Sequence, residues 1–456
     1  MNFDIIILGG GPGGYVAAIK GAQLGFKVAL IEKDTVGGVC LNEGCIPTKT
    51  LLKSAKVLRL IKNSASYGIK VDVATISYDY QDVLSRKSKV VKTLTEGVKG
   101  LLKKNGVTVI SGFGEVINRT TVVVNNETYT TKHLILATGA SPIIPPIKGL
   151  TENLESKYVL TYKGLLDYPT IPKSLVIIGG GVIGVEFAQL FSSFGTKVTI
   201  LEKQDQILST IDDEVRQTYQ RYLKKDGIEI ITKAQVTEIK DHQVSYTLDS
   251  ETKILESEIV LLSAGMKPNL SAFKALNLET SKQGIRVDDQ LKTSLPNVYA
   301  IGDVTGQMML AHAASAAGIV AVEAIAGKST KFSFNDVPAA IYGFPEIASI
   351  GYTEQSLKMS NSLYKSSKFP LLANGRSLAE GNTDGFVKLL FNPETGEILG
   401  AHILASNASD LIAEVIVAMK SEATIAEIAN AIHLHPSVSE TVMESAIGAI
   451  HKAIHI

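Results

Sequence analysis

Apolar runs and the turns between them predict the same three-part unit twice along this chain. Phe3–Leu8 is a short apolar run that stops at the glycine-rich GGGPGG of positions 9–14, which predicts a buried strand ending in a tight turn. A helical stretch follows, then a second apolar run, Lys27–Ile31, that closes on Glu32. At an offset of 170 residues the order recurs: Leu175–Ile178, GGGVIG at 179–184, a helical stretch, Lys197–Leu201 and Glu202. Ser174–Phe191 is the longest apolar stretch and superficially resembles a membrane span. Three consecutive glycines and Glu186 interrupt it, so it divides into strand, turn and helix.

Each unit has the strand–helix–strand layout of a dinucleotide-binding fingerprint. In the first copy Gly9 would permit the tight turn, Gly11 would let backbone approach a pyrophosphate, and Gly14 would allow helix to pack on strand. Gly179, Gly181 and Gly184 repeat the pattern. The phosphates would rest on the positive helix N-terminus. Glu32 lies 21 residues beyond Gly11, and Glu202 lies 21 beyond Gly181, where each carboxylate can accept from ribose hydroxyls. A single such glycine pattern is weak; two copies with spaced acids predict two bound dinucleotides. Glu202 would repel a 2′-phosphate and no arginine stands near it, so NAD is expected rather than NADP. Two nicotinamides have no useful hydride exchange with a thiol pair, so the other nucleotide is expected to be a flavin, FAD.

Composition narrows the picture. A length of 456 residues predicts about three domains. The 45 Lys+Arg balance 45 Asp+Glu, which argues against a nucleic-acid binder. No basic leader precedes the first strand, so a cytoplasmic protein with no membrane segment is expected. Cys40 and Cys45 are the only two cysteines, too few to staple a secreted scaffold of this length.

Those two thiols stand five apart in GGVCLNEGCIPTK, 37–49. Cys45 precedes Pro47 and an apolar-periodic run, which places it near a helix N-terminus, where the dipole favours a thiolate. Lys49 adds positive charge one turn on. A short loop containing Gly44 keeps Cys40 close enough for a small disulfide ring. Two inert thiols or a zinc half-site are the alternatives, but zinc needs two further ligands and no second such pair exists, so no metal is expected.

GGVCLNEGCIPTK resembles the active-site segment of the flavoprotein disulfide reductases. The resemblance continues through both glycine motifs, ATGASP at 137–142, YAIGD at 299–303, LAHAA at 310–314, YGFPE at 342–346 and HLHPSVSE at 433–440. It implies an α/β fold with two Rossmann-like dinucleotide-binding domains, for FAD and NAD, and a C-terminal α+β dimerisation domain. The implied boundaries are 1–145 for the first FAD part, 146–262 for NAD, 263–330 for the return to the FAD region, and 331–456 for dimerisation. It makes Cys40 the interchange thiol and Cys45 the charge-transfer thiolate of a redox-active pair. Lys49, paired with Glu186, would approach the flavin. Gly114, Thr138, Gly139, Asp303 and Ala311 would join Gly9, Gly11, Gly14 and Glu32 in holding FAD. Glu186, Val236 and Gly265 would join the second glycine motif and Glu202 at NAD.

By itself His435 reads as a surface histidine; the resemblance makes it the base, with Glu440 as its orienter and His433 as the rival. The implied activity is oxidation of dihydrolipoyl thiols with reduction of NAD, in a homodimer whose base serves the neighbouring subunit. No lipoyl domain precedes Met1, so an acyltransferase or a lipoyl carrier protein is the expected partner. A glutathione-type NADPH reductase is disfavoured by Glu202, and a mercuric reductase by the missing C-terminal cysteine pair. A purely scaffolding role sits poorly with intact Cys40, Cys45 and His435.

Overall fold

The computed structural model describes residues 1–456, the Val73 side chain excepted. Its first sheet has seven strands, in the order Thr108–Ser111, Val28–Glu32, Asn2–Leu8, Glu127–Leu136, Thr121–Val124 and Gly114–Asn118, with Val298–Ala300 also paired to Glu127–Leu136. Strand Asn2–Leu8 is parallel to both neighbours, Ile5 facing Val28 on one side and His133 on the other. Ile5, Ile6 and Ile7 are all fully buried because both faces are covered, which explains a continuous apolar run instead of an alternating one. Ile5 and Ile7 pack among Ala17, Ala18 and Val320 from two helices. Ile6 and Leu8 pack among Val122, Tyr129 and Phe273 on the other face.

The helices Pro12–Gln23 and Ala311–Ile325 lie against each other through small residues. A Cβ on Gly318 would stand 2.6 Å from the Gly13 carbonyl oxygen, so the alanine- and glycine-rich seam sets how closely they approach. The late segment, 298–325, thus belongs physically to the sheet that opened the chain.

Between them, a second parallel sheet runs Glu229–Ile231, Lys197–Leu201, Ser174–Ile178, Ile259–Leu262, Val159–Leu160. A three-stranded antiparallel meander, 235–256, stands beside it. The C-terminal sheet is antiparallel, ordered Ala339–Ile341, Glu346–Gly351, Ile398–Ala405, Phe386–Phe391, Lys365–Pro370, with Ala408–Lys420 and Glu440–Ile450 packed on it. Lys388 of this sheet is buried and donates to Asp212 at 3.0 Å and Glu354 at 2.6 Å. Asp212 also caps the helix Asp213–Lys225, so one ion cluster joins the second nucleotide unit to the C-terminal unit. Among the described residues no helix is long and apolar enough to cross a membrane.

Candidate active site

The two glycine turns are geometrical copies. Gly11 has φ −67° and ψ −175°, and Gly181 has φ −77° and ψ −175°, each capping the helix that follows. A Cβ on Gly14 would lie 1.8 Å from the Gly9 oxygen, and one on Gly184 would lie 2.2 Å from the Gly179 oxygen. The third glycine of each copy is therefore demanded by the fold. The middle glycines are different. A Cβ on Gly181 meets nothing within 4 Å, and one on Gly11 meets only the Gly38 Cα, at 3.9 Å. Their φ and ψ suit any residue, so the fold has no need of glycine there, and the open space fits a ligand that must approach the backbone.

Glu32 and Glu202 do something the sequence reading missed. Glu32 accepts from the Gly10 N–H at 2.6 Å, and Glu202 accepts from the Gly180 N–H at 2.6 Å. Their other oxygens accept from Asp34 and Gln204 backbone. Each acid clasps its own glycine turn as well as standing at the strand end where ribose is expected.

Asp303 follows the strand Val298–Ala300 and makes no side-chain hydrogen bond among the described residues. Burial pushes its carboxyl up to about 6, the behaviour of an acid facing a space with nothing polar to answer it. The sugar hydroxyls of a flavin nucleotide would answer it. Thr138 and Gly139 are pinned by Asn269: the Thr138 hydroxyl donates to the Asn269 carbonyl at 2.7 Å, and the Asn269 N–H donates to Gly139. Asn269 left no signal in the sequence. Gly114 packs under Leu8, where a Cβ would fall 2.4 Å from Leu8 Cδ1. Ala311 opens the helix Ala311–Ile325, Val236 lies in the meander, and the Gly265 carbonyl accepts from Ile143.

The thiols follow a segment that touches the first glycine turn, where the Gly37 N–H donates to the Gly10 carbonyl at 2.8 Å. Cys45 is the first residue of the helix Cys45–Lys62, and Cys40 sits in the short helix Gly38–Asn42; both are free thiols. A hydrogen bond from Cys40 and the nearby Lys49 charge outweigh burial and bring the Cys45 thiol down to about 7. Cys40, the donor in that pair and itself partly buried, is pushed up. Both directions favour Cys45 over Cys40 as the thiolate of the reduced pair. Lys49 Nζ donates to Glu186 at 2.9 and 3.0 Å, across 137 residues of sequence. Glu186 is buried, and both of its carboxylate oxygens accept from that ammonium.

At the far end of the chain His435 Nδ1 lies 2.9 Å from Glu440 Oε1, while Glu440 Oε2 accepts from the Ser437 N–H. Burial raises the Glu440 carboxyl, but the Ser437 and His435 contacts outweigh it and hold the group ionised below its usual range. A carboxylate there keeps the proton on Nδ1, leaving the Nε2 lone pair of the exposed ring free. His433 is excluded as a base by geometry: both its nitrogens face acceptors, Glu414 and the Ala431 carbonyl. No hydrogen bond or ion pair among the described residues links His435 or Glu440 to the thiols of the same chain. The flanking Ile432 and Leu434 are 100% and 84% exposed. No cluster of three or more metal-ligating side chains occurs among the described residues.

Two nucleotide units converging on a paired thiol define an oxidoreductase that exchanges electrons between nucleotide and sulfur. Residues 3–318 match the pyridine nucleotide-disulphide oxidoreductase model, and 337–446 match the dimerisation domain of the same family. The chain belongs to this family, and its cofactors are FAD and NAD. It is 42% identical over 465 residues to a dihydrolipoyl dehydrogenase of Geobacillus stearothermophilus, covering 99% of this chain and 97% of the relative. A dihydrolipoyl dehydrogenase of Acholeplasma laidlawii is 52% identical over 324 residues, 71% of this chain and 96% of that one. Among solved structures, LpdA of Mycobacterium tuberculosis is similar with a TM-score of 0.88 and 26% identity, covering 97% of this chain and 98% of that one.

Proposed function

We propose that this chain oxidises dihydrolipoyl groups carried by an acyltransferase or a lipoyl carrier protein, with NAD as final acceptor, and works as a cytoplasmic homodimer. The observation that carries the reading is the asymmetric thiol pair, Cys45 stabilised as thiolate by Cys40 and Lys49. His435, exposed and free at Nε2, takes the proton of a dihydrolipoyl thiol at the partner subunit's thiol site. That thiolate attacks the Cys40 sulfur of the Cys40–Cys45 disulfide, the S–S bond breaks, and Cys45 leaves as the stabilised thiolate. The second lipoyl thiol then attacks the mixed disulfide, expelling Cys40, which takes up a proton, and releasing oxidised lipoyl. Two electrons now reside on the cysteine pair. Glu440 compensates the imidazolium formed when His435 accepts its proton. When bound, FAD and NAD supply the two-electron relay that restores the disulfide.

The groups suited to FAD are the first glycine turn, Glu32, Thr138–Gly139, Asp303 and the start of the Ala311 helix. Those suited to NAD are the second turn, Glu202, Val236 and Gly265. Glu202 favours NAD because its carboxylate would repel a 2′-phosphate. Steady-state oxidation of dihydrolipoamide with NAD tests the proposal. Faster turnover with NADPH and oxidised glutathione would overturn it.

A further inference from the structure

The YGFPE segment has a use that none of the steps above draws on. The helix Val182–Ser193 holds it by two side chains at i and i+3. Glu186 Oε1 accepts from the Tyr342 N–H at 2.9 Å. Gln189 accepts from the Phe344 N–H at 2.9 Å and donates to the Phe344 carbonyl at 2.9 Å. Gly343 between them leaves no room for a side chain, since a Cβ would stand 2.0 Å from the Tyr219 hydroxyl and 2.2 Å from Gln189 Oε1. So held, the two aromatic rings lie under two cations of the cysteine helix: Lys49 Nζ stands 4.6 Å from the Tyr342 ring centre, and Arg59 stands 5.0 Å from that of Phe344.

We propose that Tyr342 is a positioning residue for the thiol chemistry: its ring, carried on a backbone that Glu186 holds, forms one wall of the Lys49 ammonium site and keeps that charge directed at Cys45. Glu186 alone does not determine where the ammonium sits, because a carboxylate attracts it without stopping it from turning away from the sulfur. An aromatic face on another side restricts it, and the attraction is electrostatic, so it depends on the ring and not on the hydroxyl. The charged and titratable groups around Cys45 and Lys49 are Cys40, Glu186 and Tyr342, with Glu346 near the Tyr342 ring. Tyr342 and Glu346 have no part in the steps above, and of the two it is Tyr342 whose ring faces the ammonium.

The proposal rests on the dithiol reading but not on the identity of the substrate. Its test is the pH titration of thiolate absorbance at 240 nm in the reduced, cofactor-loaded dimer carrying Cys40→Ser. The Cys40→Ser/Cys45→Ser protein serves as blank. With only two cysteines in the chain, the difference reports Cys45 alone. Tyr342→Leu is expected to raise the midpoint by about 0.5 to 1 pH unit, and Tyr342→Phe to leave it in place. In a Lys49→Met background Tyr342→Leu is expected to add nothing. Should the leucine variant fail to fold, pentafluorophenylalanine at 342 keeps the shape while reversing the ring's charge pattern, and it should raise the midpoint too. An unmoved midpoint in the leucine or fluorinated protein, or an equal shift with Tyr342→Phe or without Lys49, overturns the proposal. A protein that shows these shifts yet ignores dihydrolipoamide would sink only the substrate assignment.

Discussion

The two glycines of the second turn separate what the fold requires from what a ligand requires, and alanine at each should fail in a different way. Gly184→Ala puts a methyl carbon 2.2 Å from the Gly179 oxygen, 3.0 Å from Ser263 Oγ and 3.1 Å from Ile177 Cγ2. Carbon and its neighbours need about 3.5 Å, so helix and loop must part by roughly 1 Å. The Gly179 oxygen is not free to retreat, because the Ser263 hydroxyl donates to it at 2.9 Å. Overpacking of this kind costs about 1–3 kcal/mol or more. Gly181→Ala meets nothing within 4 Å, and its φ of −77° suits alanine. Its stability should hold or rise by about 0.4–1 kcal/mol, because the unfolded chain loses freedom. The methyl would, however, occupy the space through which the pyrophosphate reaches the backbone, weakening NADH binding by about 10- to 100-fold, or 1.4–2.8 kcal/mol.

Two measurements on the same samples decide it: thermal melting followed by circular dichroism, and NADH titration followed by fluorescence. Gly184→Ala should melt lower. Gly181→Ala should melt with the parent and bind NADH poorly. If Gly181→Ala binds NADH as the parent does, the argument that an unneeded glycine marks a ligand's approach is wrong. Gly11 and Gly14 offer the same contrast in the first turn, read as the flavin absorbance that survives purification.

Other consequences follow from the thiol pair, the base and the buried ion cluster. In the reduced protein one thiolate should appear as pH rises through about 7, with Cys40 still protonated there because its own value is raised; Cys45→Ser should abolish that step. A step that survives Cys45→Ser would reverse the assignment of the two sulfurs. His435→Gln should slow dihydrolipoamide oxidation by about 10²- to 10⁴-fold while NADH oxidation by ferricyanide is largely kept. Equal loss in both assays would mean that His435 supports the fold and does not serve as the base. Lys388→Met leaves the fully buried Asp212 without its cation and should cost about 3–5 kcal/mol, less what water recovers at Glu354. Burial raises the Glu354 carboxyl, but Lys388 and Lys358 outweigh it and hold it down at about 2. Its contribution to stability is therefore complete above the ordinary carboxylate range and lost as pH falls toward 2. Lys388→Met removes much of that depression, so in a melting series its deficit against the parent should be largest above the ordinary carboxylate range and shrink as pH falls toward 2; a deficit equal at every pH would show that the cluster does not hold the units together.

What the sequence showed and what it concealed divide along the range of the interactions. Strand, glycine turn, helix and acid fall within about 30 residues, so their spacing survives as a pattern, and its repetition at 170 residues exposed the second unit. Cys45 at a helix N-terminus was legible for the same reason: Pro47 and the periodic run after it are local. The partners that fix the site are not local. Lys49 meets Glu186 across 137 residues, a pair that only the family resemblance supplied; Thr138 meets Asn269 across 131, Gln189 meets Phe344 across 155, and Lys388 meets Asp212 across 176. No periodicity records such pairs. Even the spaced acids were read only halfway, since a carboxylate at a strand end can accept from a ligand and from the turn beside it, and only the coordinates show the second.

The same distances explain why the second nucleotide unit is spliced into the first instead of following it. Glu186 and Gln189 belong to the helix that opens at the second glycine turn, yet they act on Lys49 of the cysteine helix and on the 342–344 segment of the C-terminal unit. That helix has one end at the second glycine turn and a side at Lys49 and Tyr342, so a nucleotide bound at the turn would lie on the same rigid element as the groups beside the thiols. His435 has no such tie within its own chain; its ring is exposed, and exposed Ile432 and Leu434 flank it. In the proposed function the electron path would be built by one chain folding back on itself, and the proton path would be completed when His435 of a second chain, flanked by exposed Ile432 and Leu434, is brought to the thiols.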